Sequence, residues 1–173
     1  MPREARIRPR TDADLPALAS ALVEVHARDG YPVEGVADPR AWLDFPGLRH
    51  SWVAEVGGCA VGQIGLSGPG GEDAARMWAA YTGGDPSRVA VLARLYVLPE
   101  ERGAGLGERL TRTAMDHARD HGLSLVLDVM AKDRAAIRLY ERLDWTRLGE
   151  AAHHVEGAAS VPAYRYAWPP STK

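Results

Sequence analysis

Apolar and polar positions alternate or recur along most of this chain with a clear period. Arg6-Ile7-Arg8-Pro9 reads as a short edge strand, where a proline is tolerated. Thr11-Asp12-Ala13-Asp14 follows the pattern of a capping box, and Leu15, Leu18, Leu22 and Val25 then recur at helical spacing. That helix is expected to stop near Asp29-Gly30. Tyr31 to Val36 reads as loop and Pro39 to Phe45 as a short second helix. Ser51 to Val56 and Cys59 to Leu66 are two strands whose Gly57-Gly58 link signals a hairpin. Val89 to Leu98 is a mostly apolar run ended by Pro99, the pattern of a central strand.

Gly105 to His121 gives the clearest helix. At ~100° per residue, Leu106, Leu110, Thr113, Ala114, His117 and Ala118 share one broad face, while Glu108, Arg109, Arg112, Asp116, Arg119 and Asp120 fall opposite. Gly122 is a suitable stop. Leu123 to Val129 follows as a buried strand and Arg134 to Leu143 as a helix packing through Ala136, Leu139, Tyr140 and Leu143. Trp145 to Leu148 and Ala163 to Trp168 complete the strands. Ser67 to Arg88 is the least readable stretch: glycine-rich at both ends, too long for a hairpin loop, with a short helix possible over Ala74 to Tyr81. The order is that of a mixed α/β protein, and strand–helix–strand from Val89 to Val129 is a candidate parallel unit.

Composition narrows the classes. The 173 residues suit one domain, 1–173, and 46% hydrophobic with 25% charged residues exclude wholesale disorder. Lys plus Arg number 21 against 23 Asp plus Glu, so no basic excess suggests a nucleic-acid partner. The first residues carry no apolar run of a secretory signal, and no stretch approaches a membrane span. The single cysteine, Cys59, forms neither an internal disulfide nor a thiolate zinc site by itself. A cytoplasmic protein without membrane or nucleic-acid partners, monomer or homodimer, is the expectation.

The chemistry begins at Arg102-Gly103-Ala104-Gly105-Leu106-Gly107. A strand, a short glycine turn and a helix N-terminus turn several backbone N–H groups toward one point, and the helix dipole adds positive potential there. Arg102 adds a cationic donor. A glycine turn that merely connects strand to helix would look similar. A dinucleotide fold fits poorly. Asp128 stands 21 residues after Gly107, but Glu108 occupies the third glycine position and only 45 residues follow Asp128.

Leu95-Tyr96-Val97-Leu98-Pro99-Glu100-Glu101-Arg102-Gly103-Ala104-Gly105-Leu106-Gly107 resembles the acetyl-CoA signature of the GNAT family, the Gcn5-related N-acetyltransferases. The Q/R-x-x-G-x-G/A pattern is met by Arg102, Gly105 and Gly107. Leu127-Asp128-Val129 and Asp133-Arg134-Ala135-Ala136-Ile137-Arg138-Leu139-Tyr140, with Leu143-Asp144-Trp145 after them, are similar to the family's second segment. The likeness is closest over Val89 to Leu148. It departs at Asp133, where asparagine is usual, at Asp144, where glycine is usual, and at Asp128, where glutamate is common.

The resemblance implies a central mixed sheet of six to seven strands with splayed parallel strands, flanked by about four helices. It implies acetyl-CoA as acyl donor and an amine acceptor, a small molecule or a peptide or protein amine, reacting by direct attack without a metal. The cofactor would lie along Leu95, Tyr96 and Val97, the Arg102 to Glu108 turn, Asp133 and Ala136. Tyr140 matches the tyrosine that protonates the leaving thiolate. Asp128 is the candidate base, with Glu55 its rival and a water chain a third route. Tyr31, Trp78 and Tyr81 are candidates for the acceptor side. A non-catalytic acyl-CoA-binding or sensing domain would keep the same glycine turn. His117 and His121, one turn apart, lack a third metal ligand in the sequence pattern and are expected to pack.

Overall fold

A computed structural model describes residues 3–32, 35–68, 85–153 and 160–168, with Arg76, Trp78 and Ala80. The strands are β1 (Ala5–Pro9), β2 (Leu48–Val56), β3 (Cys59–Ser67), β4 (Val89–Val97), β5 (Ser124–Met130), β6 (Thr146–His153) and β7 (Val161–Trp168). The helices of full α geometry are α1 (Leu15–Asp29), α2 (Pro39–Leu43), α3 (Leu106–Asp120) and α4 (Arg134–Arg142). The strands form one mixed sheet in the order β1-β2-β3-β4-β5-β7-β6. By its contacts the chain divides into two compact units, Met1–Ser67 with Ala93–Ala114, and Gly68–Leu92 with Met115–Lys173.

In the first unit, β1, β2 and β3 are antiparallel, and Val56 and Cys59 pair across the Gly57-Gly58 turn. The capping box forms as its residues predict: Thr11 N–H donates to Asp14 Oδ2 at 2.8 Å. It caps a 3-10 turn over Asp12–Asp14, and α1 proper begins one residue later at Leu15. Gly30, at φ 69°, ends it. Leu15, Leu18, Leu22 and Val25 meet Leu43, Val53 and Tyr96 in one buried cluster. The Tyr96 hydroxyl, which burial pushes well above the ordinary phenol range, stays protonated and donates to Leu18 O at 2.8 Å.

In the second unit, β4 pairs with β5 in parallel over Val89–Val91, while β5 pairs antiparallel with β7 over Leu125–Met130. Trp78 packs against Val89, Val126 and Ala167. It is helical in conformation, as are Arg76 and Ala80; the rest of the helix expected over 74–81, Tyr81 included, lies outside the described residues. The strand expected over Trp145 to Leu148 runs instead from Thr146 to His153. Its second half, Gly149 to His153, carries no alternation of apolar and polar residues that would mark a strand.

Candidate functional site

The Arg102–Gly107 turn is built by its glycines. A 3-10 turn, Pro99–Glu101, follows β4, and Gly103 and Gly105 then adopt φ values of 90° and 76°. These are left-handed conformations that cost a residue with a Cβ. A Cβ at Gly103, Gly105 or Gly107 would meet nothing within 4 Å, so one side of the turn is open. Gly105 O accepts the first helical bond, from Arg109 N–H at 3.0 Å. The Leu106 and Gly107 amides precede that bond and have no acceptor within the helix. Leu106 is buried and anchors the turn, whereas Gly103, Ala104 and Gly105 are exposed. Glu108, in the first helical turn, pairs with Arg112 Nε at 3.2 Å.

Arg102 braces this turn in two directions. Its Nε donates to Val97 O at 3.1 Å, and its Nη2 lies 2.7 Å from Asp29 Oδ2. The carboxylate at the end of α1 therefore holds the guanidinium that the sequence assigns to the cofactor.

The stretch of β4 holding Leu95, Tyr96 and Val97 is irregular. Arg94 has φ 63°, a left-handed residue inside a strand. On the neighbouring strand, a Cβ at Gly62 would fall 2.7 Å from Tyr96 O, so glycine is what permits this approach. The Arg94 carbonyl accepts from Gln63 Nε2 at 2.7 Å, and the Arg94 guanidinium stacks on the rings of Trp42 and Phe45 at 4.6 and 4.2 Å. No sequence pattern marks Arg94, Gln63 or Asp29 as part of the site. A left-handed arginine and a buried glutamine leave no mark on hydrophobic periodicity.

In the second unit, Asp128 projects from β5 directly opposite Arg165 on β7, with Oδ1 at 3.3 Å from Nε. The Asp128 side chain is one-third exposed and that of Arg165 is mostly buried. Tyr140, on α4, is buried at 4% exposure between the rings of Trp145 and Tyr166, at 5.4 and 6.4 Å. Two of the three residues where the resemblance departs serve α4. Asp133 caps its start, Oδ1 accepting from Ala136 N–H at 3.3 Å. Asp144, at φ 66°, takes the left-handed position that glycine usually fills. Asp144 N–H then bonds Glu141 O and Trp145 N–H bonds Tyr140 O.

The remaining candidates divide. Glu55 is claimed by two guanidiniums, Arg6 Nε at 2.8 Å and Arg8 Nε at 2.9 Å. These hydrogen bonds hold its carboxyl below the usual range, which makes it a weak base. Tyr31 leans edge-on against Trp42 at 5.8 Å, at the margin of the first unit's core. Trp78 is a core residue of the second unit. His117 and His121 stack at 4.2 Å, and among the described residues no three His, Cys, Asp or Glu gather as metal ligands. No described helix is long and apolar enough to cross a membrane.

Comparison with known proteins gives a consistent result. The family model described as Acetyltransferase (GNAT) family matches residues 19–145. The chain is 32% identical to the Escherichia coli uncharacterized N-acetyltransferase YjgM over 161 residues, 87% of each chain. It is 30% identical to a mycothiol acetyltransferase of Thermomonospora curvata over 158 residues, 83% of this chain but only 53% of that protein. Among solved structures, an N-acetyltransferase from Staphylococcus aureus aligns with TM-score 0.73 and 19% identity over 96% of this chain and 98% of that one. A Salmonella typhimurium acetyltransferase determined with acetyl-CoA aligns at 0.73 and 20% identity, over 98% and 95%.

Proposed function

We propose, from the premise that this chain belongs to the acetyltransferase (GNAT) family, that residues 1–173 form one catalytic domain moving an acetyl group from acetyl-CoA to a primary amine. The observation that carries the reading is the open glycine turn at the start of α3. Its left-handed Gly103 and Gly105 turn backbone toward solvent with no Cβ in the way, as a diphosphate requires. The Leu106 and Gly107 amides and the helix dipole supply donors and positive potential. Arg102 exchanges Asp29 for a phosphate oxygen when the cofactor arrives.

The reaction is a direct displacement. The amine nitrogen, once neutral, attacks the thioester carbonyl carbon, and negative charge collects on the carbonyl oxygen. The C–S bond then breaks. Tyr140 O–H gives its proton to the leaving thiolate and is reprotonated from solvent. The proton lost by the amine passes to Asp128, directly or through water. Asp128 serves this better than Glu55, because hydrogen bonds from Arg6 and Arg8 hold the Glu55 carboxyl below its usual range and make it a weak base. Negative charge at Asp128 also suits a cationic amine on arrival.

Tyr140→Phe tests the assignment. It removes one oxygen from a buried ring, so folding and acetyl-CoA affinity are expected to hold. A general acid contributes ~10²–10⁴-fold, and kcat is expected to fall within that range. An unchanged kcat, with chemistry shown to limit turnover, overturns the role. A non-catalytic sensing domain would instead bind acetyl-CoA and turn over none of a panel of amines.

A further inference from the structure

The kink in β4 is held by side chains that no part of the acyl-transfer reading employs. Gln63 is buried at 1% exposure. Its Oε1 accepts from Arg10 Nη1 at 3.0 Å and its Nε2 donates to Arg94 O at 2.7 Å. Arginine has donors only and a carbonyl accepts only, so these partners fix which end of the amide faces which. The Arg10 side chain is itself buried, at 7% exposure, and Nη1 also donates to Leu43 O at 2.9 Å. Arg94 Nη1 donates to Trp42 O at 3.0 Å, closing the clamp around the end of α2.

Left-handed backbone at a non-glycine residue is a stored cost that the surroundings must hold in place. Here the holding point is known: the Arg94 carbonyl. The Arg94–Leu95 peptide is trans, so its N–H points opposite to its C=O. Fixing the carbonyl against Gln63 therefore fixes the Leu95 N–H, aimed away from Gln63.

We propose that Gln63, held by Arg10, is a positioning residue for acyl transfer: it sets the Arg94–Leu95 peptide so that the Leu95 N–H meets the thioester oxygen. This rests on the acetyltransferase reading above. Gln63 touches no substrate. It decides the direction of a donor that does, at the place where charge develops during attack.

Gln63→Glu separates positioning from mere packing. The glutamate keeps the size of glutamine and pairs with Arg10, so the fold is retained. Its oxygens cannot donate, and one of them repels the Arg94 carbonyl, so the peptide rotates. Loss of one donor to a developing oxyanion costs ~10²–10³ in kcat, and a fall of about 100-fold is expected. CoA affinity by calorimetry is expected within about twofold of wild type, because the Arg102–Gly107 turn is untouched and its charge-assisted bonds carry that binding.

Wild-type kcat in Gln63→Glu overturns the proposal, as does a parallel loss of kcat and CoA affinity. If that variant does not fold, Gln63→Met, which fills the volume with neither donor nor acceptor, must show the same split between kcat and CoA affinity. A Met variant with wild-type kcat overturns the proposal equally. A wild-type protein that turns over acetyl-CoA with no amine defeats the acetyltransferase reading instead, and is recognised before any variant is compared.

Discussion

Two stretches of irregular backbone lie close together in sequence, and they are held in opposite ways. The Arg102–Gly107 turn is exposed, its unusual φ angles fall on glycines, and empty space surrounds the missing Cβ atoms. The kink at Arg94 has a left-handed residue that is not glycine, and buried side chains pin its carbonyl. The turn has its shape from the local chain and remains open to a ligand. The kink has its shape from Arg10, Gln63, Trp42 and Phe45, which come from far away in sequence. A backbone site can thus be written locally, in glycines, or remotely, in a clamp. The first kind tolerates changes in the core but not in the turn, and the second kind the reverse.

Substitution at the turn should separate binding from stability most sharply. Gly105→Val places a branched side chain at φ 76° where the diphosphate would approach. With two or more charge-assisted bonds displaced, CoA affinity is expected to fall about 100-fold or more, read by calorimetry. The far-UV spectrum should be retained, because no core atom touches the site. Arg10→Met should do the opposite. It strips Gln63 and the Leu43 carbonyl of a charged donor and is expected to cost about 2–3 kcal/mol in denaturant unfolding, with CoA still bound.

A third effect tests whether side-chain clamps in the first unit respond to acid as the glycine turn cannot. Asp14 accepts two bonds from Arg8, at 2.7 and 2.8 Å, and these hold its carboxyl down at about 2. Its folded value lies below its unfolded one. The stabilisation is therefore complete above pH ~4 and is lost as pH falls through about 2. Wild-type protein should lose about 1–2 kcal/mol over that window. Asp14→Asn should be less stable at neutral pH and flatter below pH 4, which chemical unfolding at stepped pH will show. The smallest effect belongs to Asp29. Asp29→Asn frees Arg102 from a half-exposed ion pair worth about 1 kcal/mol at most. CoA affinity is expected to rise a few-fold in dilute buffer, and the gain should shrink as salt is added. Unchanged affinity at low salt would mean that Arg102 does not exchange partners.

The same contrast governs how much could be read from the sequence. The helices with a buried stripe and the Gly57-Gly58 hairpin were legible because each is a local pattern, and the glycine turn was legible for the same reason. Asp144 stands where the family usually has glycine, and it adopts the left-handed φ of 66° that stops α4. The second half of β6 was hidden because Gly149 to His153 show no apolar alternation. The ion pairs of Glu55 with Arg6 and Arg8 were hidden too, since they depend on the register of β1 against β2. Trp78 is a candidate for the acceptor side by sequence, and its contacts with Val126 and Ala167 place it in the core of the second unit instead. Gln63 looked like a polar residue in a strand until its two partners, 53 and 31 residues away, were brought to it.

The stop of α4 has a further consequence, for the disorder of Tyr140, the residue proposed above as proton donor. Trp145 N–H is bonded to the carbonyl of Tyr140 itself, and the Trp145 ring lies against the Tyr140 ring. One residue thus restrains both the backbone and the side chain of the tyrosine. A phenol free in water would have to find the thiolate and then turn toward it. Tyr140 has surrendered that orientational entropy during folding, long before any substrate is present. Holding a reacting group in place in this way corresponds to effective concentrations of ~10⁵ M and above in well-oriented systems. In the proposed reaction, the disorder given up by this aromatic pair on folding is removed from the barrier of every turnover.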